Sequence, residues 1–294
     1  MTELFGYPVP VILGQLMLGL VNGSFYAMLS LGLAVIFGLL GVVNFAHGAF
    51  YMLGAFAALI GLETFGINYW LALVVAPIVV GAFGIVLERL LLRPLYKLDP
   101  LYGLLLTFGL ALIFEGVMRE RFGSSGQSYP VPDALQGVFN LGFMILPIYR
   151  AWVIVASITV CLVTWFVIER TRLGATLRAA TENPRLVQAF GINVPTMVML
   201  TYGAGVGLAA LAGVLSAPVI QVSPLMGSSL VVVVFAVVVI GGMGSILGAI
   251  VSGLALGMVE GFTKVIYPEA SNIVVFVIMA IVLVLRPAGL FGRE

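Results

Sequence analysis

VILGQLMLGLVNGSFYAMLSLGLAVIFGLLGVVNFAHGAFYMLGAFAALIGL, from Val11 to Leu62, runs without a Lys, Arg, Asp or Glu. A second charge-free run extends from Leu186 to Val259. A membrane-spanning helix needs about 20 mostly apolar residues, so the second run alone accommodates about three spans. Strands of a membrane barrel alternate polar and apolar side chains. These runs are apolar on all sides, which makes them helices. The rest of the chain agrees: 62% of residues are hydrophobic and 9% charged, whereas a soluble domain carries about 25% charged residues. The expected fold class is an all-α integral membrane protein. It forms a polytopic bundle of about eight or nine spans, a single transmembrane domain over residues 1–294.

Several function classes fall away at once. The formal net charge is +1 and no basic tract is present, so nucleic acid is not an expected partner. A single cysteine, Cys161, excludes internal disulfides and cysteine metal clusters by count. Its apolar surroundings favour a small buried hydrophobe over a reactive thiol. No metal is expected. One histidine and no clustered carboxylates argue against a membrane-embedded enzyme, and no catalytic residue is assigned. No Gly-x-x-x-x-Gly-Lys-[Ser/Thr] phosphate loop occurs, so the chain is expected to bind no nucleotide. Energy for transport then has to come from a partner. The N-terminus lacks the Lys/Arg-rich region of a cleaved signal peptide, so the first apolar run is expected to remain as a helix.

Spans are expected near 11–35, 44–62, 69–92, 101–118, 149–168, 196–216, 228–241, 245–262 and 271–286. Arg89, Arg93 and Lys97 cluster after the third span, and Arg170, Arg172, Arg178 and Arg185 after the fifth. Two spans separate these loops, so they share a side, which the positive-inside rule makes cytoplasmic. The N-terminus then faces outward, 119–148 forms an external loop region and 170–195 a cytoplasmic loop. Arg119 and Arg121 run against the rule but are flanked by Glu115 and Glu120. The stretch 230–262 as one helix would be about 50 Å long, too long for a core of about 30 Å. Splitting it at the glycines of 240–245 places the C-terminus, with Arg286 and Arg293, in the cytoplasm.

Small residues recur every four positions. Ser245, Ala249, Gly253, Gly257 and Gly261 form one row, Gly205, Ala209 and Gly213 a second, and Gly19, Gly23 and Ala27 a third. In lipid, such rows let helix backbones approach closely. They serve either static packing within one subunit or a moving interface along a translocation path. Two breaks interrupt the apolar runs, at Gly38–Gly48 and at Gly241, Gly242, Gly244 and Ser245. Broken backbone at membrane depth survives only where protein or a water-filled cavity surrounds it. Paired breaks in the two halves point to an internal repeat with a path at its interface.

Candidate path residues are therefore Asn44, Phe45, His47 and Gly48 with Gly241, Gly242, Gly244 and Ser245, joined by Asn22 and Tyr26 of the first span. His47 can titrate near neutral pH, but a hydrogen bond closing the loose backbone around Asn44 is the favoured reading. Glu88, Arg89, Glu260 and Lys264 lie near span ends and can snorkel to the interface. Glu115 and Arg119 are spaced to pair on one helix.

The loop from Arg170 to Val194 holds a short amphipathic helix. Leu177, Ala180 and Thr181 share one face, and Arg178 and Glu182 are spaced as an i,i+4 pair. The helix is expected to stop at Asn183-Pro184, with Gly191 and Pro195 punctuating before the next span. Such a helix lies on the membrane surface or docks in a cleft on another protein.

With Leu20–Ala27 (including Asn22 and Tyr26), Val43–Gly48, Gly174–Ile192 and Val239–Ser245, the chain resembles the permeases of branched-chain amino-acid (high-affinity leucine-type) ABC importers over nearly its whole length. Pro184-Arg185 and Phe37, the latter where a tyrosine is expected, depart from the pattern. The resemblance implies a bacterial inner-membrane importer. It would be built from this permease, a related second permease, two cytoplasmic ATPases binding ATP and Mg, and an external solute-binding protein, within membrane lipid. The solute would be a branched-chain or related amino acid. The resemblance further implies that Gly174–Ile192 is the coupling helix, with Arg178, Ala179, Glu182 and Gly191 on matching positions and Gly174 and Asn183 as further coupling candidates. A same-family permease for urea or short amides and an independent secondary transporter are the alternative readings.

Overall fold

The computed structural model describes residues 3–4, 6–40 and 44–292. A short hairpin, β1 (Glu3–Leu4) and β2 (Tyr7–Pro8), leads into α1 (Val9–Leu40), followed by α2 (His47–Phe65) and α3 (Tyr69–Leu87). The chain continues from α3 through a π-helical turn, Glu88–Leu92, and a 3-10 turn, Arg93–Lys97, into α4 (Pro100–Phe122). A second hairpin, β3 (Val138–Asn140) and β4 (Ile145–Pro147), precedes α5 (Ile148–Arg170). Two short helices, α6 (Arg172–Glu182) and α7 (Pro184–Ala189), lead to α8 (Val194–Ser216), α9 (Met226–Gly241), α10 (Ile246–Ile266) and α11 (Val274–Leu285). Seven of these helices are long and apolar enough to cross a membrane, and α9 and α11 are shorter apolar helices. The protein is thus a polytopic helical membrane protein. Gly41, Val42 and Val43 of the first break, and Arg293, lie outside the described residues.

The expected split of the long C-terminal apolar stretch is present. Gly242 and Gly244 adopt φ of +99° and +85°, the left-handed region that favours glycine. Ser245 then accepts a hydrogen bond from Gly248 N at 3.1 Å and caps α10. At this end of the bundle the chain's last described residues close over the turn. The amides of Leu290 and Phe291 donate to the carbonyls of Ile240 and Gly241.

The three rows of small residues are the framework of the core, and two of them mate. α1 and α10 lie antiparallel along the most extensive helix contact in the molecule. A Cβ at Gly19 would overlap the Gly257 carbonyl, one at Gly253 would overlap Ala27, and one at Gly261 would overlap the Gln15 carbonyl. α8 fills the space between α1, α2 and α3 with the third row. Gly205 faces Gly32 and Ile36 of α1, and Gly213 faces Tyr51 of α2, while Ala209 is fully buried. Both partners of each contact belong to this chain, so these faces pack within the subunit through close van der Waals contact.

The two ends of the bundle differ chemically. At one end Tyr149 donates to the Leu215 carbonyl at 2.9 Å, and Trp152 Nε1 donates to the Tyr69 hydroxyl at 3.0 Å. Tyr and Trp favour the membrane–water boundary, where an apolar ring meets a wet rim. At the other end lie Gly38, the 241–245 turn, α6 and the arginines of 89–93 and 170–178.

Two carboxylates depart from the snorkelling expected of them. Glu88 is fully buried where α3 passes into its π-helical turn, and Glu260 is 7% exposed. Glu260 accepts from the Tyr26 hydroxyl at 2.7 Å and pairs with Lys264 at 2.6 Å. It follows Gly257 on the face pressed against α1, so its side chain is held inside the bundle by the α1–α10 seam. Glu115 and Arg119 pair at 2.7 Å, as their spacing predicts.

Candidate functional site

The Asn44–Gly48 break is tied together by side chains that reach the backbone. Asn44 is fully buried; its Oδ1 accepts from Ala46 N at 3.0 Å, and its Nδ2 donates to the Tyr202 hydroxyl of α8 at 3.1 Å. Phe45 N donates to Thr107 Oγ1 of α4 at 3.2 Å. The Phe45 ring packs at 4.8 Å on Phe235 of α9 and edge-on at 6.2 Å against Phe108 of α4. Three helices therefore hold the irregular residues 44–46, which is how broken backbone is tolerated at membrane depth.

The His47 ring does not close the loop around Asn44, contrary to expectation. Its Nε2 lies 3.0 Å from the Leu29 carbonyl of α1. A carbonyl can only accept, so Nε2 carries the proton in this contact. The loop is closed instead by Asn44 itself and by His47 N, which donates to the Asn44 carbonyl at 3.2 Å. Spacing on the chain could not show this, because Leu29 comes within reach only through the packing of α2 on α1.

Beside the break lies a cleft of about 70 Å³ lined by Phe45, Gly48, Phe108, Glu115, Gly227 and Val231, among others. Gly48 and Gly227 meet backbone to backbone, so that a Cβ on either would overlap the other's carbonyl. This joins the first turn of α2 to the first turn of α9.

The second break lies elsewhere. From Gly227, beside Gly48, to Gly241 is fourteen residues of α9, a rise of about 21 Å. Gly241 packs on Gly248, Gly242 on Gly292, and Gly244 on Gly38. The Asn44–Gly48 part of the first break and the 241–245 turn thus sit at opposite ends of α9, while Gly38, where the first break begins, packs on the second. Asn22 and Tyr26 occupy a third position on α1. Asn22 is half-buried, and Tyr26 is buried against Ala236, Val237 and Ile240 of α9 and Leu256 of α10, with its hydroxyl on Glu260. Tyr202, Thr107 and Gly227 escaped the sequence reading, and Glu260 was read only as a snorkelling end. Glu260 alone carried a signal, a carboxylate set between Gly257 and Gly261 in a row of small residues.

Asn44→Ala removes a side chain–backbone hydrogen bond within the turn and an interhelical hydrogen bond together, and leaves the Tyr202 hydroxyl without that donor. Each is worth about 1 kcal/mol. The expected result is a permease about 2 kcal/mol less stable, seen as a lower thermal midpoint in detergent, while Asn22→Ala on half-buried α1 surface changes little.

At the other candidate site α6 is locked to the end of α5. Arg178 Nη1 donates to the Ile168 carbonyl at 2.8 Å and lies 3.4 Å from Glu169 Oε2. This replaces the expected pairing of Arg178 with Glu182. The i,i+4 rule considers one helix at a time, whereas the turn at Thr171 folds α6 back so that the terminal carbonyls of α5 become the nearer acceptors. Gly174 faces the same place: a Cβ there would overlap the Ile168 carbonyl. Leu177 and Ala180 are buried as expected, but Thr181 is exposed. α6 stops at Glu182 and Asn183 caps α7 through Leu186 N at 3.0 Å. Gly191, at φ +82°, turns the chain toward α8. Ala179, Glu182, Asn183 and Gly191 are all exposed, as are Leu186 at 55% and Phe190 at 78%. The outward face of this unit therefore combines apolar side chains with a carboxylate.

The sequence was compared with known proteins. The model of a family described as "Branched-chain amino acid transport system / permease component" matches residues 15–283. The high-affinity branched-chain amino acid transport system permease protein BraD of Pseudomonas aeruginosa is 31% identical over 308 residues, covering 100% of this chain and 98% of that protein. The corresponding LivH of Escherichia coli K12 is 28% identical over 308 residues, with the same coverage. LivM of the same strain, also a permease protein of a high-affinity branched-chain amino acid transport system, is 24% identical over 90% of this chain and 67% of its own length. With a family match spanning most of its length and full-length similarity to BraD, this chain belongs to the family of branched-chain amino acid transport system permease components.

Proposed function

We propose that the chain is one transmembrane permease of an ATP-driven importer that carries branched-chain or related amino acids across the bacterial inner membrane. It works beside a second, related permease, with two cytoplasmic ATPases that bind ATP and Mg and an external solute-binding protein. The N-terminus faces outward and the C-terminus inward, since the arginines of 89–93 and 170–185 gather at the end where α11 finishes.

The observation that carries this reading is the seat of α6. A short helix outside the bundle is fixed to a spanning helix by a charge-assisted hydrogen bond and a close backbone contact. Its exposed side offers Ala179, Glu182, Leu186 and Phe190 to a partner. Closure of the ATPases against this surface moves α6 and α5 as one body and so reaches the bundle. Solute passes near Asn44–Gly48, where the cleft opens between α2, α4 and α9 and the surrounding surface is free to meet the second permease. A loosely polar path suits transport, because tight binding slows release.

The test is reconstitution in proteoliposomes. Leucine uptake is expected only with both permeases, both ATPases, the loaded binding protein and ATP. Uptake by the purified chain alone under an ion gradient would identify a secondary transporter instead. Uptake restricted to urea or a short amide would move the solute class while keeping the mechanism.

A further inference from the structure

A groove of about 760 Å³ runs along the outside of the bundle between α3, α5 and α8 and is closed at one end by α6. Its floor is small, with Gly81, Gly203, Ala204 and Gly207, and its walls are apolar side chains open to the surroundings, Ile78 at 64%, Val163 at 57% and Leu200 at 54% exposed. Thr164 and Thr201 are its only hydroxyl-bearing residues. From Met197 to Leu211 along α8 the groove spans fourteen residues, about 21 Å of helix rise. One leaflet of bilayer hydrocarbon is about 15 Å deep, half of the roughly 30 Å core. The groove is therefore long enough to run the full depth of a leaflet.

Its α6 end is basic. Arg172 immediately precedes Leu173, which lines the groove, and Arg89 lies four residues beyond Ile85, the last α3 residue in the wall. Both arginines are exposed, and neither forms an ion pair among the described residues. Arg170 lies 5.7 Å from the centroid of Trp165, an indole–guanidinium pair of the kind found at headgroup depth. An apolar trough of leaflet depth with free guanidinium groups at its mouth matches a phospholipid acyl chain joined to an anionic headgroup.

We propose that this groove is a binding site for one anionic phospholipid. An acyl chain lies over Gly203, Ala204 and Gly207, and the phosphate is held by Arg89 and Arg172. The lipid would pack against Leu173 and Leu177 of α6 from the membrane side, opposite the face offered to a partner protein. It would therefore steady the α5–α6 corner. The site is independent of which solute is carried.

The experiment uses the assembled importer in vesicles containing phosphatidylglycerol or phosphatidylcholine that carries a photoreactive diazirine near the acyl terminus. Crosslinked peptides are mapped by mass spectrometry. Crosslinks to α8 around Ala204 and to α5 around Val163 are expected, with phosphatidylglycerol favoured. Arg89→Gln with Arg172→Gln should cut that preference by roughly tenfold. Ala204→Trp and, separately, Val163→Trp fill the trough from exposed positions and should each remove most of the crosslink; using both guards against one failing to fold. Equal labelling by the two lipids, labelling indifferent to the filling variants, or a crosslink map showing another subunit seated in the groove would each overturn the proposal.

Discussion

Gly257→Leu is expected to leave almost no folded permease in the membrane. On the α1–α10 seam a Cβ at Gly257 would run into the backbone of Gly23 and the carbonyl of Gly19, and neighbouring Gly253 and Gly261 make equally close approaches to Ala27 and Gln15. The neighbour that would have to give way is backbone, not the flexible end of a side chain. Overpacking a core with side-chain neighbours costs about 1–3 kcal/mol, and displacing a helix backbone over this seam exceeds that range. Total stability is only about 5–15 kcal/mol, so the loss approaches the whole. The separation of α1 from α10 would also break the Tyr26–Glu260 hydrogen bond that crosses the same seam. The monodisperse fraction after detergent extraction and the thermal midpoint report the outcome.

Gly109→Ala and Gly116→Ala provide the contrast. These glycines lie on α4, where a Cβ would meet nothing within 4 Å. There alanine is neutral or stabilising by up to about 1 kcal/mol through helix propensity. If Gly257→Leu accumulated and melted like these two variants, the α1–α10 seam would not be what holds the bundle.

The seam also shows how far local sequence carries. The rows at Gly19–Gly23–Ala27 and Ala249–Gly253–Gly257 are visible in the sequence because close packing in lipid needs small side chains at a fixed period. That the two rows mate is not visible, since period states what a face can accept and not which face meets it. The helices themselves, including the break at Gly241–Ser245, follow from apolar length and from glycines at positive φ, both local properties. His47 and Arg178 were assigned the nearest partners along the chain, and each instead bonds a carbonyl brought close by another helix or by a folded-back turn. Glu88 and Glu260 looked like snorkelling ends because distance to a span end is linear in sequence. Burial depends on whether a neighbouring helix covers that end. The two breaks read as stations on one path; that Gly38 packs on Gly244 while Asn44–Gly48 lies at the other end of α9 is set by helix packing, which the sequence does not show.

The second large effect concerns energy transfer. Gly174→Val and Arg178→Ala each detach α6 from α5, one by steric overlap with the Ile168 carbonyl and the other by removing its charged donor. A hydrogen bond from a charged group is worth about 1.5–3 kcal/mol, so Arg178→Ala shifts the seated-to-unseated ratio of α6 by roughly 10- to 100-fold. Gly174→Val acts through backbone and should exceed it. In proteoliposomes of the complete importer, amino-acid uptake per ATP hydrolysed is expected to fall by a factor in that range. Affinity of the binding protein for its solute should stay unchanged, because the proposed external binding protein lies across the membrane from α6. Arg178→Lys keeps the charge but lacks the planar fork, so partial recovery is expected.

Glu182→Gln separates tether from surface. Glu182 makes no bond to α5, so this variant leaves α6 seated and acts only if the exposed carboxylate contacts the ATPase. A loss of co-purifying ATPase in Glu182→Gln, with normal co-purification but poor coupling in Arg178→Ala, would assign one residue to docking and the other to transmission. Normal uptake per ATP in both Gly174→Val and Arg178→Ala, with the complex intact, would remove the α5–α6 corner from the mechanism. The route of the conformational signal would then have to enter through another helix.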